Sequence, residues 1–205
     1  MRDWIPVFAG MTNALGPRSA GTANATMTPD FSRTHFELLG LPASFAVDAS
    51  QLERRYRDLQ SQVHPDRFAA ASEAERRVAM QFATRANEAY RTLRDPVGRA
   101  RYLLSLKGYD TGEESNTAMP PDFLMQQMEW REAAGEARAA GDTAALESLR
   151  AELADSRAEM LGMLARALDG DRNYDAGCSL VRKLRFLEKL DEEIDDALEL
   201  IHERG

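Results

Sequence analysis

Apolar residues recur along this chain with the 3.6-residue period of amphipathic helices, and no run alternates as a strand would. Between residues 51 and 63, Leu52, Tyr56, Leu59 and Val63 form one stripe. Arg54, Arg57, Asp58 and Ser61 lie on the opposite side. Pro65 disfavours helical backbone at His64, so the pattern predicts a stop at or near Val63. A second stripe follows Ser72: Val78, Phe82, Ala86, Ala89 and Leu93. Ser72 and Glu75 have the spacing of a capping box. Two helices joined this way run antiparallel, with His64, Pro65 and Asp66 on an exposed turn, where function is carried more often than packing.

Shorter elements flank this hairpin. Phe36, Leu38, Leu39 and Leu41 form an apolar cluster that packs on the two stripes, and residues 41–45 read as a loop. Asp48 or Ser50 is the candidate N-cap of the charged helix. Pro96 opens a fourth helix carrying Tyr102, Leu103, Leu104 and Leu106, and Lys107-Gly108 stops it. No helical pattern survives across 108–120, which reads as a linker. Three further helices are predicted at about 122–140, 143–168 and 174–202, punctuated by Gly141 and Gly170. Leu146, Leu149, Leu153, Met160, Met163, Leu164 and Leu168 line the second of them. Leu180, Leu184, Leu187, Ile194, Leu198 and Ile201 line the third. Short connections imply an antiparallel three-helix bundle. The fold class is therefore all-α: a helical hairpin with flanking short helices over 34–107, then a bundle over 121–205. Residues 1–33, rich in Gly, Ala, Thr, Asn and Pro, are expected to be a disordered tail.

Composition narrows the function. The chain has 205 residues, 43% hydrophobic and 29% charged, ordinary for a globular protein. No apolar run is long enough for a membrane span, and the cytoplasm is the expected location. Cys178 is the single cysteine, so no internal disulfide framework is expected. One thiol does not hold an iron–sulfur cluster. His35, His64 and His202 lack metal-ligand spacing, so no cofactor or metal is expected. Residues 1–107 carry 15 Lys and Arg against 11 Asp and Glu, and the remainder carries 11 against 23. That asymmetry suggests two surfaces with different partners. It does not suggest nucleic acid, because the weakly basic half lacks interleaved aromatics.

The turn His64-Pro65-Asp66 allows three readings. It is a plain polar turn, a catalytic His–Asp pair, or a docking tip. The catalytic reading lacks a nucleophile and an oxyanion donor nearby. As a docking tip, Pro65 fixes a torsion, Asp66 offers a carboxylate to a partner's arginine, and the arginines of the preceding helix face an acidic surface. The wider array decides. The stretch Thr34-His35-Phe36-Glu37-Leu38-Leu39, the charged helix, His-Pro-Asp and the run Asn87-Glu88-Ala89-Tyr90-Arg91-Thr92-Leu93 resemble a J-domain over about 33–107. The resemblance implies that His64, Pro65 and Asp66, with Arg54, Arg55, Arg57 and Arg67, engage a DnaK-type chaperone and stimulate its ATPase. Val63 and Arg67 depart from the Tyr and Lys that relatives often carry there; Arg67 keeps the charge but not the geometry of Lys.

The first bundle helix has more useful faces than a bundle requires. At about 100° per residue, Phe123, Gln127, Trp130, Ala134 and Ala137 share one side. Leu124, Met125, Met128, Glu129, Glu132 and Glu136 share another. Pattern alone leaves two readings of this second side, a core extension or a partner face, and leans slightly to the core. The segments 123–132 and 181–190, with Tyr102-Leu103-Leu104-Ser105-Leu106, are similar to the HscB family, J-type co-chaperones of iron–sulfur cluster biogenesis. That resemblance implies that the bundle binds an IscU-type scaffold protein through Leu124, Met125, Met128, Glu129, Glu132, Glu136 and Phe186. It further implies delivery of that scaffold to an HscA-type chaperone, by an adaptor that is not itself an enzyme. It makes Met27, just ahead of the first helix, a candidate start of synthesis, and it favours a bacterial-type member. A general J-protein that delivers unfolded clients is the alternative.

Overall fold

The computed structural model describes residues 32–63, 71–113 and 119–203. The expected tail up to residue 31, the whole of the turn 64–70, residues 114–118 and residues 204–205 lie outside the described residues. Seven α-helices account for the described chain: α1 (His35–Leu38), α2 (Ala49–Val63), α3 (Glu73–Arg94), α4 (Pro96–Leu106), α5 (Pro121–Ala140), α6 (Thr143–Ala165) and α7 (Tyr174–His202). The all-α prediction holds for them. The chain divides into two compact units. The first holds the described residues to Ala43 and Val47–Asp95; the second holds Ser44–Ala46 and the described residues from Pro96 on.

In the first unit, local chemistry sets the helix starts. Thr34 and Ser72 each accept a bond from the N–H three residues on, and Glu37 and Glu75 reach back to close complete capping boxes. The Asp48 carboxylate accepts from the N–H of Ser50 at 2.8 Å and of Gln51 at 3.2 Å, which makes it the cap of α2. The hairpin core is Leu52, Leu59 and Val63 of α2 against Ala79, Phe82, Ala86, Ala89 and Leu93 of α3, with Phe36, Leu38 and Leu39 beside them. Val78, placed on the α3 stripe by periodicity, is half-buried, and its neighbour Ala79 takes the buried position. Contacts run in opposite senses along α2 and α3. Glu53 meets Tyr90, while Gln60, farther along α2, meets Asn87, earlier on α3. The two helices are antiparallel.

In the second unit, α5, α6 and α7 form the predicted bundle. Arg150 pairs with Asp191 at 3.2 Å and Asp195 at 2.5 Å, whereas Arg157 reaches Glu188 at 3.9 Å, so α6 and α7 run antiparallel. Between α5 and α7 the register climbs together, Phe123 beside Phe186 and Arg131 beside Glu193. The core joins Phe123, Trp130 and Ala137 of α5 to Leu146, Leu149 and Leu153 of α6 and to Leu187, Leu190, Ile194, Ala197 and Leu198 of α7. Asp142 and Asn173 cap α6 and α7, and Gly141, at φ +67°, closes α5 in the left-handed region.

Two features depart from the sequence expectation. The second bundle helix does not run regularly to Leu168. It ends at Ala165 and widens into a π-helical turn, Arg166–Gly170. Asp169 in that turn accepts the N–H groups of Phe45 and Ala46, each at 2.8 Å. The turn also brings Leu168 against Gly177, where an added Cβ would stand 2.8 Å from the Leu168 Cδ2 atom. The second departure is α4. Its sequence pattern groups it with the first domain, but its packing places it in the second unit, with Val97, Ala100, Leu103 and Leu104 buried and α7 as its neighbour.

His35 is the buried titratable group of the first unit. Burial lowers its pKa below the ordinary value; Glu88 opposes this and Arg85 adds to it. The folded state therefore excludes a proton that the unfolded chain accepts near pH 6.5. The stability of this unit falls as pH drops from that value through the lower folded one. Urea midpoints at pH 7.5 and 5 should show this loss in the parent and a smaller one in His35→Gln; equal losses would count against the assignment.

Candidate protein-interaction surfaces

The first candidate surface begins on α2. Arg54 and Arg57 are exposed, and Arg55 is half-buried. Arg57 turns back to Glu53 at 2.8 Å, one helical turn away. His64, Pro65, Asp66 and Arg67 lie outside the described residues, so no geometry is assigned to them. What the structure does describe is the frame on either side. α2 ends at Val63, and α3 begins behind Ser72.

A polar latch ties those two helices together. The Tyr56 ring stacks on Tyr90 with centroids 4.1 Å apart and an interplanar angle of 12°. The Tyr56 hydroxyl donates to Asn87 Oδ1 at 2.8 Å and accepts from Gln60 Nε2 at 2.6 Å. The Tyr90 hydroxyl donates to the Glu53 carboxylate. That bond, with help from Arg57, holds the Glu53 carboxyl below its ordinary range and pushes the Tyr90 phenol up. The latch sets the separation between the body of α2 and the C-terminal half of α3. Sequence periodicity had placed Tyr56 on an apolar stripe; its second job is hydrogen bonding.

The second candidate surface is on α5, where the structure bears on the core reading of the second side. Phe123 and Trp130, 7% and 5% exposed, face the core. Their spacing of one heptad fixes the rotation of the helix. Leu124, Met125 and Met128 are consequently turned outward, at 42%, 63% and 72% exposure. They are not core. Glu129, Glu132 and Glu136 are exposed beside them. None of these three enters an ion pair among the described residues, and Glu129 accepts a bond from Gln126 at 3.3 Å. An apolar ridge with unpaired acids along one flank suits a partner bearing apolar groups and positive charge.

Phe186 of α7 is half-buried at the foot of this ridge, edge-on to Phe123 with centroids 6.0 Å apart. The Arg131 guanidinium lies 5.2 Å from the centre of the Phe186 ring, and the Lys183 ammonium 5.0 Å from that of Phe123. Two cations thus brace the aromatic pair, each contact of the cation–π kind. Arg131 and Lys183 were not singled out from sequence, although both lie inside the family-like segments. Their spacing on two different helices becomes visible only once α5 and α7 lie side by side. The Trp130 indole N–H donates to Glu152 Oε1 at 2.7 Å, satisfying its one polar atom.

Among the described residues no three His, Cys, Asp or Glu side chains gather as a metal site. No helix among them is long and apolar enough to cross a membrane. Cys178 is buried, and that burial raises its thiol pKa.

Comparison with known proteins agrees with both halves of this arrangement. A family model described as the DnaJ domain matches residues 34–102, and one described as the HSCB C-terminal oligomerisation domain matches residues 119–195. A latched helical hairpin joined to such a bundle makes the chain a J-domain co-chaperone. The co-chaperone protein HscB homolog of Burkholderia multivorans is 54% identical over 166 residues, spanning 81% of this chain and 94% of that protein. Among solved structures, chaperone HscB from Vibrio cholerae is 38% identical with a TM-score of 0.71, covering 82% of this chain and 99% of that one. Human co-chaperone protein HscB is 29% identical with a TM-score of 0.76, covering 90% and 95%. The chain belongs to the HscB family, the J-type co-chaperones of iron–sulfur cluster biogenesis.

The division between core and ridge on α5 has a direct consequence for stability. Met128→Ser should move the unfolding free energy by no more than about 0.5 kcal/mol, as for other exposed positions. Trp130→Ala should cost about 3–5 kcal/mol. Urea denaturation of the two variants checks the assignment, and a comparable loss from Met128→Ser would return that residue to the core.

Proposed function

We propose that the chain works as a two-ended adaptor in the cytoplasm. Its bundle binds an IscU-type scaffold protein carrying an assembled cluster. Its J-domain presents that scaffold to an HscA- or DnaK-type chaperone and stimulates ATP hydrolysis through His64-Pro65-Asp66, supported by Arg54, Arg55, Arg57 and Arg67. Hydrolysis traps the chaperone on the scaffold and promotes cluster transfer. Holding two partners on one chain raises their effective concentration without new contacts between them.

The observation that carries this reading is the ridge of Leu124, Met125 and Met128, exposed on a helix whose core face is already filled by Phe123 and Trp130. Methionine is flexible and polarisable, suited to a partner surface. Glu129, Glu132 and Glu136 favour a basic partner and disfavour an acidic one. Phe186 completes the surface from α7. The cluster is cargo carried by the scaffold, and the adaptor supplies no ligand to it. The chemistry belongs to the chaperone's ATPase. The adaptor's contribution is to bind, position and trigger.

Two outcomes test the two ends separately. Asp66→Ala should abolish stimulation of the chaperone ATPase and leave scaffold affinity unchanged; an unaltered stimulation curve removes the triggering role. The triple variant Leu124→Ala, Met128→Ala, Phe186→Ala should weaken scaffold binding by calorimetry while its helical circular dichroism stays at the parent level. Binding of diverse unfolded peptides with the affinity of the folded scaffold would instead make this a general J-protein.

A further inference from the structure

The ridge on α5 is not symmetric. Its acidic flank carries Glu129, Glu132 and Glu136; its opposite flank, facing α7, carries Arg131 and Arg138. On that basic flank a groove opens between α5 and α7, with a volume of about 290 Å³, lined by Arg131, Gly135, Arg138, Glu193, Ile194 and Ala197. It continues directly from Phe186, because Arg131 both covers that ring at 5.2 Å and lines the groove.

Charge in the groove is incompletely used. Arg131 and Glu193 approach only to 3.9 Å, and their side chains are 57% and 58% exposed. Arg138 is exposed and enters no ion pair among the described residues. With two guanidinium groups against one carboxylate, the lining keeps a net positive charge inside an otherwise acidic half of the chain. The floor is apolar, formed by Ala134, Leu146, Ile194 and Ala197, with Gly135 exposed at its rim. Gly135 leaves it open, since a Cβ added there would meet nothing within 4 Å.

Resting on the scaffold-binding reading above, we infer that this groove receives an acidic side chain of the scaffold, held by Arg138 and Arg131 while basic groups of the same partner meet the glutamates across the ridge. The apolar ridge supplies contact area, but area alone fits more than one rotation of the partner about the helix axis. Opposite charges on the two flanks select one. Turning the partner end for end would set its acids against Glu129, Glu132 and Glu136, and like-charge contacts of that kind are strongly disfavoured at an interface. The groove therefore fixes the direction in which the scaffold lies and adds a contact beyond the ridge.

The test is titration calorimetry of the full chain with purified scaffold, and the variants are Arg138→Glu, Arg138→Lys, Gly135→Leu and the pair Leu124→Ala, Met128→Ala. Arg138→Glu should weaken binding roughly tenfold or more, on the scale of a repulsive contact at an interface. Arg138→Lys should retain most of the affinity. Gly135→Leu, which fills the groove, should weaken binding with helix content unchanged. If Gly135→Leu disturbs the bundle, Arg138→Glu at its exposed position still decides. A scaffold affinity that Arg138→Glu leaves intact, while Leu124→Ala with Met128→Ala lowers it, overturns the groove and leaves the ridge standing. If the paired ridge variant binds like the parent, the scaffold-binding reading itself falls. If sedimentation shows that Arg138→Glu changes self-association and not scaffold affinity, the occupant is a second copy of this chain and the inference is overturned.

Discussion

The rotation of α5 about its own axis governs the second half of this protein. Phe123, Trp130 and Ala137 recur every seven residues and must all be buried. A helix presents such a heptad stripe in only one orientation. Once the two large rings are placed in the core, everything else on the helix is assigned. Leu124, Met125 and Met128 face water, glutamates line one edge, and arginines line the other. Neither the acids nor the methionines chose their positions through contacts of their own. They are where they are because indole and phenyl rings cost more to expose than any other side chains on that helix.

The hairpin of the first unit solves a related problem by different means. Its two long helices are joined by apolar stripes, but a stripe alone tolerates sliding and tilting. The stacked Tyr56–Tyr90 pair and the hydrogen bonds through Asn87, Gln60 and Glu53 do not. Directional bonds of this kind specify geometry more than they add stability. They span α2 from Glu53 to Gln60 and the C-terminal half of α3 at Asn87 and Tyr90, and they fix how the two helices lie against each other.

Much of this was legible in the sequence, for identifiable reasons. Helix starts were readable where a side chain caps its own helix, as at Ser72 and Asp48. The Thr34–Glu37 capping box has the same signature, on a helix only one turn long. The three bundle helices were readable because glycines stand at their ends. The exposure of Leu124 and Met128 was not, because a helical wheel shows that two faces exist without saying which one the rest of the chain covers. The π-helical turn at Arg166–Gly170 left no pattern either. Its cause is tertiary: Asp169 is drawn to the amides of Phe45 and Ala46, more than a hundred residues earlier. The placement of α4 was hidden for the same reason. Its apolar residues are compatible with either neighbour, and the packing against α7, where Leu104 lies close to Gly177, shows which side received them.

The ridge also has a colloidal consequence. Leu124, Met125 and Met128 in water form the kind of apolar surface through which identical molecules stick to one another. The half of the chain that carries them holds 11 basic against 23 acidic residues. Copies approaching ridge to ridge bring like charges together before any methionine touches its counterpart, and the repulsion persists over about 10 Å at 0.1 M salt. The excess of carboxylates thus keeps an adhesive surface dispersed, while a partner of opposite charge passes the same barrier and is drawn in by it.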